Sequence, residues 1–337
     1  MTSSEPAKLD AARGPDVFRS AATQVLSRLG PLIGLILVAG AFAIAFPKFR
    51  TAGNAEVMLL QTAIVITAGL GMTMIIISGG IDLSVGSNVA MCSVVVAMLL
   101  KAGFAPMSAA AGGIAAGMAS GLVIGSLVTL LRLQPFIVTL GMWGALRGLA
   151  KWLADDSVVF IADRGWLDSL LVVPSEKNRW MLVAPGLWLT LLLAVLVAGV
   201  FRYTRFGRHL FAIGSNEQTA RLCGVRVNRT KIAVYASAGA LAGIAGVLQF
   251  AYVGLGDPTG AAGMELDVIA AVVIGGASLS GGVGTVSGTI IGALLMTVVA
   301  NGLTKFPDMR NSVQQIVTGT IIVIAAALDR LRRGGRA

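Results

Sequence analysis

From Val57 to Ile81 the chain passes without one charged side chain, and the stretches Ala102 to Leu131, Ile232 to Gly256 and Val268 to Thr304 do the same. Each is long enough to cross about 30 Å of hydrocarbon at 1.5 Å per residue, and the last is long enough to cross twice. With 56% hydrophobic and only 12% charged residues in 337, the sequence has far more apolar surface than a soluble domain of this length needs. Runs such as "MTMIIIS" and "LTLLLAVLVAGV" lack the polar residue at every second position that a transmembrane barrel requires. Helices remain as the spanning element, and an all-α polytopic membrane protein is expected.

The charges give the orientation. Lys8, Arg13, Arg19 and Arg28 precede the first apolar run; Arg202, Arg205, Arg208, Arg221, Arg226, Arg229 and Lys231 share one loop; Arg330, Arg332, Arg333 and Arg336 lie at the end. The net charge of +10 is therefore not a nucleic-acid footprint but the cytoplasmic faces of a membrane protein. The segment 155–180 carries five acids against three bases and is placed outside. Taking the basic segments as cytoplasmic gives spans near 30–46, 57–78, 86–102, 107–131, 135–154, 181–201, 231–254, 264–278, 284–303 and 312–329. That is about ten transmembrane helices with both termini cytoplasmic. The organisation is a cytoplasmic segment 1–29, a transmembrane domain 30–330 that includes the cytoplasmic loop 202–231, and a basic tail 331–337. No cleaved signal peptide is expected.

Cys92 falls in a span and Cys223 in the basic loop, so no disulfide framework is expected. With His209 as the single histidine, a metal site has almost no ligands to draw on, and none is expected, nor any cofactor.

Glycines decide where helices pack and where they break. "GGIAAGMASGLVIGS" and "SAGALAGIAG" carry small residues at helical spacing and predict close helix packing in lipid. Gly79, Gly80 and Gly86 in one region, and Gly275, Gly276, Gly281 and Gly282 in another, predict helix breaks inside the protein. "IIISGGIDLSVG" (75–86) also echoes "AVVIGGASLSGG" (271–282), a hint of internal repetition.

Charges inside spans are expensive, which singles out Asp82, Arg147, Lys151, Glu265 and Asp267. Lys151 and Asp267 read as snorkelling from helix ends. Asp82, beside Ser84, Ser87 and Asn88, reads either as lining a cavity at a broken helix or as capping the next helix, and the two are compatible. Pro135 fits a helix start, with Gln134 and Thr139 adding hydrogen-bonding capacity. Gln249, Asn301 and Gln315 are further polar groups on spans, each as readily an interhelical hydrogen bond. The candidate path residues are Asp82, Ser84, Asn88, Gln134, Thr139, Gln249, Glu265 and Asn301.

No catalytic motif accompanies them. There is no G-x-x-x-x-G-K-[ST] phosphate loop, no G-x-S-x-G and no H-E-x-x-H. "LSGG" at 279–282 is a coincidence of small residues in an apolar context. An intramembrane protease would need Asp82 and Asp267 together, and nothing flanking them supports it.

Within 202–231, "RYTRFGRHLFAIGSNEQTARLCGVRVNRTK", Ser215 with Gln218 fits a capping box, Glu217 favours a helix start and Gly224 a stop. A capped helix of about two turns suits docking of a partner; the arginines alone would also suit anionic lipid.

"GIDLSVGS", "PFIVTLG", "TRFGRHLFAIGSNEQTARLCGV" and "ELDVIAAVVIGGASLSGGVGTVSGTIIGALL", in this order, resemble the permease subunit of ribose-type sugar ABC importers, over about residues 55 to 330. The resemblance implies an all-helical fold of the class first seen in vitamin B12 uptake, and a path for a monosaccharide or similar polyol at the interface of two permease copies. It implies three partners in the inner membrane and beside it: a cytoplasmic ABC ATPase, a periplasmic or lipid-anchored sugar-binding protein, and the second permease. The ATPase-docking segment maps onto Asn216, Glu217, Thr219, Ala220, Arg221, Leu222 and Gly224; Thr219 and Cys223 depart from the family's usual alanine and serine. The chain is then a transport subunit, not an enzyme. An ion-coupled secondary transporter of a small polar solute is the alternative, but acidic or histidine relays inside the spans are few.

Overall fold

The structure, a computed structural model, describes residues 15–172, 183–306 and 311–334. Twelve α-helices lie among them: α1 (Pro15–Ala45), α2 (Ala52–Ile77), α3 (Val85–Lys101), α4 (Pro106–Leu130), α5 (Pro135–Leu153), α6 (Pro185–Tyr203), α7 (Arg205–Ser215), α8 (Glu217–Leu222), α9 (Val227–Val253), α10 (Met264–Ile274), α11 (Val286–Leu303) and α12 (Asn311–Gly334). Ten of these coincide with the ten expected segments. Five, α2, α4, α6, α9 and α11, are long and apolar enough to cross a membrane unaided.

Two boundaries move. α1 starts at Pro15, so the basic segment before residue 30 continues the first helix rather than standing apart, and α12 runs to Gly334 past the expected edge of the tail. Residues 1–14, 173–182, 307–310 and 335–337 lie outside the described residues, and with them Lys8, Arg13, Arg336 and the first two positions of the expected span 181–201.

α2 is the central helix, packed by α6, α9, α10 and α11 and buried along nearly its whole length. Apolar burial supplies no net drive between helices in lipid, so close backbone approach and interhelical hydrogen bonds must hold the bundle. Both are present. The two glycine-rich stretches pack on each other: a side chain at Gly117 would strike Gly239 and Gly243 of α9, and one at Gly121 would strike the Tyr235 backbone. Thr73 and Thr289 join α2 to α11 at 2.6 Å, and Thr67 and Thr190 join α2 to α6 at 3.2 Å.

The fold is not wholly helical. Two short strands, β1 (Val159–Phe160) and β2 (Leu255–Gly256), pair antiparallel and tie together the two loops at the end of the bundle away from α7 and α8. Alternation over two residues leaves no sequence signal for such a ladder.

Candidate functional site

α2 ends at Ile77 and α3 begins at Val85, so residues 78–84 form the expected break. α2 stops in a paired cap: Gly79 N–H donates to Ile76 O at 3.0 Å and Gly80 N–H to Ile75 O at 2.9 Å. Gly79 sits at φ +82°, where only glycine is unstrained. α10 stops the same way, with Gly276 N–H on Val273 O at 2.9 Å and Ala277 N–H on Val272 O at 3.1 Å. The echo between the two segments is thus structural, but it pairs Gly79 with Gly276, one residue off the register that the letters suggest.

Asp82 lies in this break, 7% exposed. Its Oδ1 accepts from Ser84 N–H at 2.7 Å and from Ser84 Oγ at 2.6 Å. The N-cap position of α3 is Ser84, so Asp82 shapes the turn into the helix and is not itself the cap. Asn88 is buried one turn on and accepts from Cys92 Sγ at 3.4 Å. Thr139 of α5 reaches the break through Oγ1, donating to Ile81 O at 3.3 Å. The structure therefore brings Asp82, Ser84, Asn88 and Thr139 together.

The level of this cluster follows from its neighbours on α9. Tyr235 touches Gly80, and Gly246 packs on Val89 and Cys92. Val85 lies between those levels, alongside the middle of a 27-residue helix about 40 Å long. α10 begins at the same depth: Glu265, in its first turn, places Oε2 where a Gly86 side chain would stand, and Ala261 O lies beside it. So α3 and α10, at 17 and 11 residues about 25 and about 16 Å long, both start inside the bundle and run in opposite directions.

The remaining expected path residues are elsewhere. Gln134 is exposed at the start of α5, and Gln249 is half-buried on α9 well above the break. Asn301 is buried near the far end of α11, where neighbouring Gly302 packs on Phe42 of α1. Gln315 is exposed on α12. Polar letters on spans do not disclose depth or facing. Asp267 does lie at a helix end, in the first turn of α10, but that turn starts inside the bundle and Asp267 accepts from Thr318 of α12 at 3.4 Å instead of snorkelling to the interface. Lys151 is exposed in the last turn of α5.

The basic loop folds as two helices. α7 is capped by Thr204, whose Oγ1 accepts from Gly207 N–H at 3.0 Å, and it buries Leu210 and Ile213. The expected cap of the second helix is corrected: Ser215 is the last residue of α7, and Asn216 caps α8 by accepting from Thr219 N–H at 2.9 Å. The asparagine oxygen serves as well as a serine, and it lies one residue closer to the apolar face. Gly224 ends the helix at φ +83°.

Ala220 faces inward, packing with Ile213 and Val227, while Asn216, Thr219, Arg221, Cys223 and Gly224 are exposed and Leu222 is 88% exposed. Glu217 accepts from Lys231 Nζ at 2.6 Å and from Arg221 Nη2 at 3.0 Å, pinning α8 to the start of α9. The Lys231 hydrogen bond, chiefly, holds the Glu217 carboxyl below its ordinary range; partial burial opposes it, and the Lys231 charge with the Arg221 hydrogen bond and charge add to the lowering.

The two sites touch. Gly282, at φ +74°, donates its N–H to Ile77 O at 2.9 Å, and a side chain at Gly214 of α7 would strike both groups. Gly281 packs on Gly214 and Gly79. The ends of α2 and α7 and the loop after α10 thus meet backbone to backbone. Gly275 closes on Gly288 of α11 just beside them. The sequence signalled each break but not this junction; Gly214 and Tyr235 carried no motif.

Residues 54–326 match the protein family described as branched-chain amino acid transport system / permease component. The ribose import permease protein of Escherichia coli (strain K12) is 35% identical over 303 residues, covering 90% of this chain and 93% of its own. The L-arabinose ABC transporter permease protein of Azospirillum brasilense is 32% identical over 327 residues, covering 97% and 94%. An autoinducer 2 import system permease protein of Photorhabdus luminescens is 31% identical over 309 residues, covering 89% of each. No solved structure matches the chain.

Proposed function

Because the chain belongs to the family of branched-chain amino acid transport system permease components, we propose that it forms the translocation path of an ATP-binding-cassette importer for a monosaccharide or similar polyol. It is a multi-pass transport subunit, and hydrolysis of ATP falls to a partner. The sugar assignment draws on the relatives that import ribose and L-arabinose.

The observation that carries this reading is α8. A large apolar side chain, Leu222, stands 88% exposed on a short helix whose two ends are fixed by Asn216 and Gly224 and whose side is tied down by Glu217. A lone exposed leucine is ordinary on a protein surface; on a helix fixed at both ends and along one side it becomes a preformed contact that a partner can cover. The ATPase supplies that cover, with Leu222 entering a pocket and Asn216, Thr219 and Arg221 around it.

In this account both termini are cytoplasmic and the chain crosses ten times. The helices α3 and α10 each complete a crossing with a non-helical segment, 78–84 or 254–263. That arrangement resembles the vitamin B12 importer class. A second permease copy faces α5, whose exposed side carries Leu140, Trp143, Gly144 and Gly148, and lipid covers the apolar side chains of α6. A sugar-binding protein docks at the opposite end, where β1 and β2 join the loops.

Co-purification tests the docking surface. The chain with its own ATPase subunit in detergent is expected to elute as one complex, and Leu222→Asp to release the ATPase while the permease stays folded. Retention of the ATPase by the variant would contradict the proposal.

A further inference from the structure

We propose that Trp143, Arg147 and Glu265 form a hydroxyl-binding station that a sugar passes midway through the membrane. The inference rests on the permease reading above and names the contact site within it.

Glu265 is held in an unusual state for a carboxylate inside a membrane protein. Oε1 accepts a single hydrogen bond, from Trp143 Nε1 at 3.2 Å, and Oε2 is buried against Gly86 without a partner among the described residues. A carboxylate has about four acceptor sites, so most of this one's capacity is unspent. Arg147 does not neutralise it by an ion pair; its Nη1 instead donates to Pro258 O at 3.0 Å and Gly260 O at 2.6 Å. Glu265 is only partly buried, with Oε2 enclosed and lacking a donor while the side of the carboxyl that meets Trp143 stays open, so an acid at mid-depth has acceptor capacity that a polar solute can reach.

The chemistry of the three side chains suits a sugar. A carboxylate accepts hydroxyls, and a guanidinium that is only half occupied still donates to them. Trp143 is 40% exposed, offering a flat apolar surface to the C–H face of a ring. Trp143 and Arg147 are one turn apart on α5, so both reach the start of α10. Beside them Gly144 and Gly148 have open space where side chains would stand, which leaves room for a ring to lie against the helix. Asp82, by comparison, is closed off by Ser84 and serves the turn.

In the transport cycle a sugar hydroxyl displaces the Trp143 indole N–H from Oε1, and the ring stacks on the freed indole. Gly86 is required because any side chain there would occupy the place of Oε2.

Proteoliposomes holding the chain, its ATPase and its binding protein, supplied with a panel of radiolabelled ribose, L-arabinose and other aldoses, provide the test. Sugar moved per ATP hydrolysed is the readout, because a folding defect lowers both together and leaves the ratio alone. The ratio is expected to fall about tenfold in Trp143→Ala and in Glu265→Ala, as for loss of a stacking surface or a charged hydrogen bond. Trp143→Phe keeps most of it. Unaltered ratios in Trp143→Ala and Arg147→Ala would overturn the station even if Glu265→Ala failed to assemble. If the wild-type chain moves no member of the panel with ATP, the permease reading itself fails and takes the station with it.

Discussion

The amide of Gly282 donates to the carbonyl of Ile77 at 2.9 Å, and Gly214 closes over the pair so tightly that no side chain fits there. This contact joins the last turn of the central helix to α7, on which the docking helix α8 follows directly. Under the proposed function, a push of the ATPase on α8 reaches the break that holds Asp82 through this backbone junction, and Gly214→Ala tests that route.

Gly214→Ala is expected to force the junction apart, at about 1–3 kcal/mol of destabilisation. In proteoliposomes the variant should bind ATPase yet move less sugar per ATP. Wild-type coupling in a stably assembled Gly214→Ala chain would show that the push travels by another route.

Gly86→Ala places a methyl where Glu265 Oε2 now lies. The carboxylate must swing away and its contact with Trp143 at 3.2 Å is lost. Tryptophan fluorescence reads this directly: an emission change is expected in Gly86→Ala and not in Gly199→Ala on α6, where the added methyl meets open space. Identical spectra for the two variants would contradict the geometry.

Asn216→Ala removes the cap of α8 and is expected to cost about 1 kcal/mol, against little for Asn216→Asp, which keeps the acceptor. ATPase affinity, measured by surface plasmon resonance, should weaken in the first variant and hold in the second. Equal weakening in both would mean that the amide itself contacts the partner.

Glu217 has its folded pKa lowered, so its stabilising contribution is fully present above the ordinary glutamate range and is lost as pH falls through the depressed value. With the carboxylate 41% exposed, water screens much of the effect. Wild type should melt about one to two degrees above Glu217→Gln at pH 7, and the gap should close near pH 3. A gap that persists at low pH would assign the difference to packing rather than charge.

Much of this was legible in the letters, for identifiable reasons. Uncharged runs register helices in a membrane directly, so Val57 to Ile81 could only be a helix such as α2. Paired glycines such as Gly79–Gly80 register breaks because few other residues end a helix that way. What pairs with a break does not show, because contact between Gly214, Ile77 and Gly282 joins segments far apart in the chain through backbone atoms alone. The helix α8 was visible from Glu217 and Gly224, while its cap was assigned to Ser215 because serine and asparagine one residue apart offer the same acceptor. Asp82 and Glu265 stood out as charges in oil; Trp143 did not, since a tryptophan on a span is ordinary until a carboxylate is found beneath it.

The most direct measurement is solute uptake into proteoliposomes that hold this chain with its ATPase and binding protein, energised either by ATP alone or by an ion gradient alone. The account predicts sugar uptake with ATP, none with the gradient, and loss of the ATP-driven uptake in Leu222→Asp. Uptake driven by the gradient without ATP would contradict it.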